Sequence, residues 1–242
     1  MSRRGFTIIE LLVAMALLLA ISAALAGAAG PARHAFDRVP AYLEQEQRGR
    51  AALEPIVRGL RSAAIVSAVD PDENGVSGAL TAVVPVANGA QGILGSDQAA
   101  PTGSISLAVA PCPHVRDVCG FSPGTVVLIT RDMAFDVFIV ATTSPGTRRL
   151  TPGRALSQAY PAGSRLLEVE QHSFSLESQS DGTQTLIRET ASGAIQPMVD
   201  LLSGLTFFVQ PEQVEIGVTV LPTIDSVPHR AFKASVRRRR SS

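Results

Sequence analysis

From Phe6 to Ala29 the chain is apolar for 24 residues, with Thr7 and Ser22 as mild exceptions and one carboxylate, Glu10, inside the run. As an α-helix this stretch is about 36 Å long against a hydrocarbon layer of about 30 Å, so it can cross a bilayer. Arg3 and Arg4 precede it. By the positive-inside rule they hold the N-terminus in the cytoplasm and place everything beyond Ala29 on the outer side. A carboxylate within a spanning helix costs about 2.5–3.5 kcal/mol on insertion scales, so Glu10 is expected to have a partner.

Three generic explanations fit the apolar run without accounting for Glu10. A secretory signal would be cut after Ala26 in "ALAG", an A-x-A pattern. A twin-arginine export signal would use "SRRGF" at Ser2 to Phe6. An uncleaved anchor needs only the hydrophobicity. The segment "GFTIIELLVAMALL" instead resembles the processing and assembly signal of type IV prepilins and type II secretion pseudopilins. The resemblance implies a leader, Met1 to Gly5, removed by a membrane peptidase at Gly5–Phe6. It further implies N-methylation of Phe6 and an assembly role for Glu10. Gly5 leaves no side chain to hinder an extended backbone in a peptidase cleft. Cleavage creates an α-ammonium on Phe6, and Glu10 lies one turn away, about 6 Å along the axis. That carboxylate can pair with its own terminus or with a neighbouring subunit's, and the second option fixes axial register in a helical assembly.

After this run the sequence predicts an amphipathic helical segment over 30–67, with Leu53, Ile56/Val57, Leu60 and Ala63/Ala64 at three-to-four spacing. Gly30-Pro31, Pro40 and Pro55 predict kinks in it. From 68 to 242 the chain reads as one β-rich outer domain, about 210 residues beyond the apolar run being enough for one sizeable core or two small ones. A short strand is expected near Ala79 to Val86. Further strands are expected in "SISLAVA", "TVVLIT", "FDVFIVATT", "RLLEVEQHSFSLES", "TQTLIRE", "LTFFVQ", "VEIGVTV" and "FKASVRR". "MVDLLSG", Met198 to Gly204, reads as a short helical turn. No helical segment separates the strands, so neighbours should pair antiparallel. The expected fold class is α+β, a long N-terminal helix packed on an antiparallel, sandwich-like sheet. The order of "GTVVLITRDMAFDVFIVATT", "YPAGSRLLEVEQHSFSLES" and "PMVDLLSGLTFFVQ" is similar to PilW-type minor pilins and to the larger J-type pseudopilin. It implies other pilin or pseudopilin subunits, the prepilin peptidase/methylase and the inner membrane as partners.

Cys112 and Cys119 in "PCPHVRDVCG" have six residues between them and suit a small disulfide ring in an oxidising compartment, contributing roughly 2–3 kcal/mol by loop entropy. The alternative is two free thiols in a Pro-flanked turn. Zinc is not expected, since only His114 lies nearby. "DPDENG" places Asp70, Asp72 and Asn74 like the front of a calcium loop, but Thr81 stands where the closing carboxylate belongs. Asp-Pro and Asn-Gly are also ordinary turn dipeptides.

No catalytic constellation is legible and no cofactor is implied. His34, His114, His172 and His229 are scattered, and neither a nucleophile elbow nor a phosphate loop occurs. His172 alternates with Glu170 and Phe174 as a cross-strand residue does. Lys+Arg and Asp+Glu balance at 21 each, so no overall field points to nucleic acid. The cluster Arg237, Arg238, Arg239 and Arg240 could meet anionic lipid or nucleic acid, and reads first as a solvated end. Two readings of other classes stay open: an exported soluble β-rich binding protein cut after Ala26, and an exported enzyme.

Overall fold

The computed structural model describes residues 8–100, 103–108, 118–132, 134–224 and 227–237, with the backbone alone at helix positions 29, 31, 32, 34, 35 and 37. One helix, α1 (Ile8–Ser62), precedes a large antiparallel sheet, the α+β arrangement the sequence predicts. Instead of breaking at its prolines, α1 is continuous across all three. Each proline leaves the carbonyl four residues earlier without its helical donor. For Pro40 and Pro55 these are the carbonyls of Phe36 and Ala51, both on exposed residues where water can reach them.

The helix also ends earlier than its apolar spacing suggests. Ser62 Oγ donates to the carbonyls of Arg58 (3.2 Å) and Gly59 (3.1 Å), and Ala64 N–H already bonds Val83 O at 2.8 Å. Residues 65–69, expected to continue the helix as far as Ser67, form β1 (Ile65–Val69) and pair with β3 (Ala79–Pro85). The hairpin-like return of β3 supplies the backbone partners that would otherwise come from another helical turn.

The organising strand is β9 (Arg165–Ser178). Along one edge it pairs first with β6 (Val126–Arg131) and then with β10 (Gln184–Thr190). Along the other it pairs with β4 (Gln91–Ile93) and then β3. From β10 the sheet continues through β11 (Ile195–Val209) and β12 (Gln213–Val220) to an edge at β13 (Arg230–Arg237). From β6 it continues through β7 (Ala134–Ser144) and β8 (Arg149–Pro152) to β5 (Ile105–Ser106), while β2 (Val76–Ser77) pairs with the end of β11.

Met198 to Gly204 is not a helical turn but the middle of β11. Val199, Leu202 and Leu205 are buried three residues apart, which imitates a helical period. The spacing comes from a bulge: Leu201 has φ +55° and the registers with β10 and β12 both shift here. Beyond it Leu205, Phe207 and Val209 resume the alternation of a strand.

Two cores flank this spine. One packs Ala52, Ile56 and Leu60 of α1 against Leu80, Phe174, Phe207, Ile216 and Val218. The other joins Leu94, Ile105, Phe121, Ile129, Phe138, Leu150 and Leu166 at the far end of β9. Burying each large apolar side chain contributes about 1.5–3 kcal/mol before chain entropy is counted.

The face of α1 that meets the sheet is narrow and made of small residues: Ala41, Gln45, Gly49, Ala52, Ile56 and Leu60. Gly49 sits against the ring of Phe232, where a Cβ would lie 2.5 Å from two ring carbons. The buried Gln45 donates through Nε2 to Pro228 O at 3.1 Å. On one flank Arg48 bonds Glu44 (2.8 Å) and Thr223 Oγ1 donates to Glu44 (3.1 Å); on the other Arg230 pairs with Glu46 at 2.9 Å. Gly49→Ala is therefore expected to destabilise the outer domain by about 1–3 kcal/mol despite alanine's better helix propensity. Thermal unfolding measures this, and adding Phe232→Leu should recover most of the loss.

Candidate functional site

The first 21 described residues, Ile8–Ala28, are apolar around the whole circumference of α1, and none is buried. A helix of this kind is stable only inside a protein core or a bilayer, and no other part of the described chain covers it. At 1.5 Å per residue it spans about 30 Å, the thickness of a hydrocarbon layer. Glu10 lies in its first turn, where a carboxylate also complements the positive end of the helix dipole. Gly5 and Phe6, the expected cleavage pair, lie outside the described residues. Between Ala28 and Ala41, the first buried residue among those described, α1 runs about 20 Å.

The remaining residues singled out from the sequence do not gather into a second site. Asp72 Oδ1 accepts the backbone N–H groups of Asn74 (2.9 Å) and Val76 (2.8 Å), and Gly75 takes φ +78°, so "DPDENG" forms a hydrogen-bonded turn. Among the described residues no three His, Cys, Asp or Glu side chains converge as a metal site. His172 lies between Ala82 of β3 and Thr190 of β10, with Nε2 3.2 Å from Glu170. This is the cross-strand position its alternation predicts. Cys119 is buried in a tight turn at φ +58° and is not a free thiol. Cys112, His114 and Arg238 to Arg240 lie outside the described residues, as does the side chain of His34. Arg237 ends β13 and is exposed.

Sequence reading missed one buried polar network. Asp136 accepts Ser157 Oγ (2.8 Å), Ser157 N–H (2.9 Å) and the Tyr160 hydroxyl (3.1 Å), while Gln158 Nε2 donates to Tyr160 at 3.0 Å. Arg154 and Gln158 donate to the carbonyls of Val137 and Phe135. Together they tie the segment after β8 along the part of β7 that β8 leaves unpaired. Asp136 and Tyr160 are both buried and Asp136 has donors on both oxygens. The network therefore serves as a lock rather than as an open acid–base pair. No local motif could have revealed it, since its members are brought together from separate strands and loops.

Residues 1–26 match the family described as the prokaryotic N-terminal methylation motif. No curated protein matches the chain. The motif supports a precursor of the type IV pilin-like or pseudopilin kind, a structural subunit rather than an enzyme, with other pilin subunits and the prepilin peptidase as general partners. With the apolar helix it suggests a membrane-anchored, pilus-associated protein.

Two measurements check this division of the molecule. Among the described side chains of α1, burial against the sheet begins at Ala41. A chain starting at Phe36 is thus expected in the soluble fraction, with a thermal midpoint within about 2 °C of the full chain in the same detergent. Burial, with the charge of Asp136 beside it, holds the Tyr160 phenol well above its ordinary value. Its contribution is complete below the unfolded-state value of about 10, and is lost at up to about 1.4 kcal/mol per pH unit above it. Urea midpoints between about pH 9 and 11 should fall accordingly, and Tyr160→Phe should start lower but fall less steeply.

Proposed function

We propose that this chain is a minor pilin of the PilW type, stored in the inner membrane by the apolar half of α1 and drawn from there into a pilus. The observation that supports it best is the division of a single helix. The methylation motif overlaps a length of α1 that no other described residue covers, while the following length is clamped to a folded domain. Met1 to Gly5 is the leader, the peptidase cuts Gly5–Phe6, and Phe6 becomes the methylated N-terminus. In the assembly Glu10 meets the Phe6 ammonium of a neighbouring subunit. That pairing removes two charges from an apolar environment at once, and fails if the subunits slip by a turn. The N-terminus is cytoplasmic and the domain beyond α1 periplasmic, where Cys112 and Cys119 close a disulfide ring.

Mass spectrometry of the mature N-terminus tests the processing. N-methyl-Phe6 is expected, whereas Gly27 as the first residue would mean an exported soluble protein instead. Glu10→Ala should leave cleavage intact and lower recovery in sheared filaments by about tenfold or more, and normal recovery would sink the assembly role. Recovery with secretion-system subunits rather than with pili would assign the chain to the J-type pseudopilins.

A further inference from the structure

Among the described residues, β13 pairs with β12 alone, so its second edge carries unpaired backbone groups. The eight pairs from Arg230↔Val220 to Arg237↔Gln213 run without a register shift, and the strand has no proline. Natural edges of this length are usually blunted by bulges, prolines or charge. Here only charge is used. Arg230 is committed to Glu46 and stacks over Phe232 at 5.3 Å. Lys233 and Arg237 stand on the opposite face, exposed and without an ion pair among the described residues.

The helix makes this edge more than a row of amides. Glu44 and Arg48 reach toward Thr223 and Asp200 on the inner side of α1, whereas Glu46 and Gly49 meet Arg230 and Phe232 of the edge strand. The side of α1 that continues from Glu46, at the spacing of four and seven residues, carries Arg50 and Leu53, and then Val57. Leu53 and Val57 are only partly buried, as are Phe232 and Ala234 on the facing side of β13. From Glu46 to Val57 this ledge is about 17 Å long, which matches five residues of an extended strand. The edge thus offers unpaired backbone groups, with the partly buried Phe232 and Ala234 on the helix side of the sheet and the exposed Lys233 and Arg237 on the other.

We propose that the β13 edge is a strand-addition site for an extended segment of a partner protein in which apolar and acidic residues alternate. The apolar set goes under α1 beside Phe232, Ala234, Leu53 and Val57, and the acidic set meets Lys233 and Arg237. Backbone bonds supply affinity and the alternate side chains supply selectivity. The same cations reject a second copy of this edge: an antiparallel self-pair centred on Lys233 sets Lys233 against its own counterpart, and one centred on Ser235 sets Lys233 against Arg237 twice. β13 itself lies more than 200 residues from the N-terminal motif, and the site does not depend on how that motif is processed.

The test uses the full chain in nanodiscs and an eight-residue peptide alternating Val and Glu, matched to the length of β13. Protection of β13 amides against hydrogen exchange is expected with this peptide and not with a Val/Lys counterpart. The Lys233→Glu/Arg237→Glu variant should bind the acidic peptide about tenfold more weakly and take up the basic one. A Val/Glu peptide N-methylated on alternate residues should lose binding in one of its two phases, a control that needs no variant. No protection of β13, equal binding of the two peptides by the native chain, or indifference to both methylation phases would overturn the proposal.

Discussion

The contact of Gly49 with the Phe232 ring is the constraint on which the rest of the molecule depends. Helices usually stand off from a sheet by the width of their side chains. At this point the backbone of α1 comes within reach of an aromatic ring, because no side chain intervenes. Ala41 and Ala52 extend the close approach on either side, and the buried amide of Gln45 ties the same face to the carbonyl of Pro228. The charged pairs on the two flanks add little energy each at exposed positions, but they oppose rotation of α1 about its axis. Among its described side chains α1 is buried only from Ala41 onward, and about five turns there hold it in one orientation.

The sheet extends this control across the outer domain through β9. Its second half carries Phe174 into the core beneath α1, and its first half carries Leu166 into the distal core. The same strand therefore contributes to both cores. The Asp136–Tyr160 network closes the distal half in another way, by satisfying strand carbonyls that have no strand beside them. A buried polar network is costly only if left incomplete, and Asp136 here has donors on both oxygens.

What could be read from the chain in advance follows from how local each signal is. The methylation motif and the apolar span are contiguous, and alternation marked the longer strands, β9 in full. The end of α1 was misread because Ile65 and Val66 continue an apolar spacing, while the competing partner, β3, is supplied by residues further along. Met198 to Gly204 was misread because a bulge turns a period of two into an apparent period of three. The prolines suggested kinks in α1 because the cost of a lost hydrogen bond is visible in sequence, whereas exposure of the orphaned carbonyl is not. β8 and the Asp136 network left no local trace at all. The short strands β2 and β4 depend on pairing with β11 and β9, which no window of their own sequence reveals.

The unbroken course of α1 makes it a lever. From the middle of the apolar span, near Leu18, to Gly49 is about 46 Å measured along one unbroken helix. A tilt of about 10° in the bilayer would therefore carry the sheet sideways by about 8 Å, close to the width of another helix. Lipid thickness and neighbouring spans would set the lateral position of the outer domain as directly as contacts made by the domain itself. Small changes in how the greasy half is packed are magnified at the far end, where other proteins would have to find it.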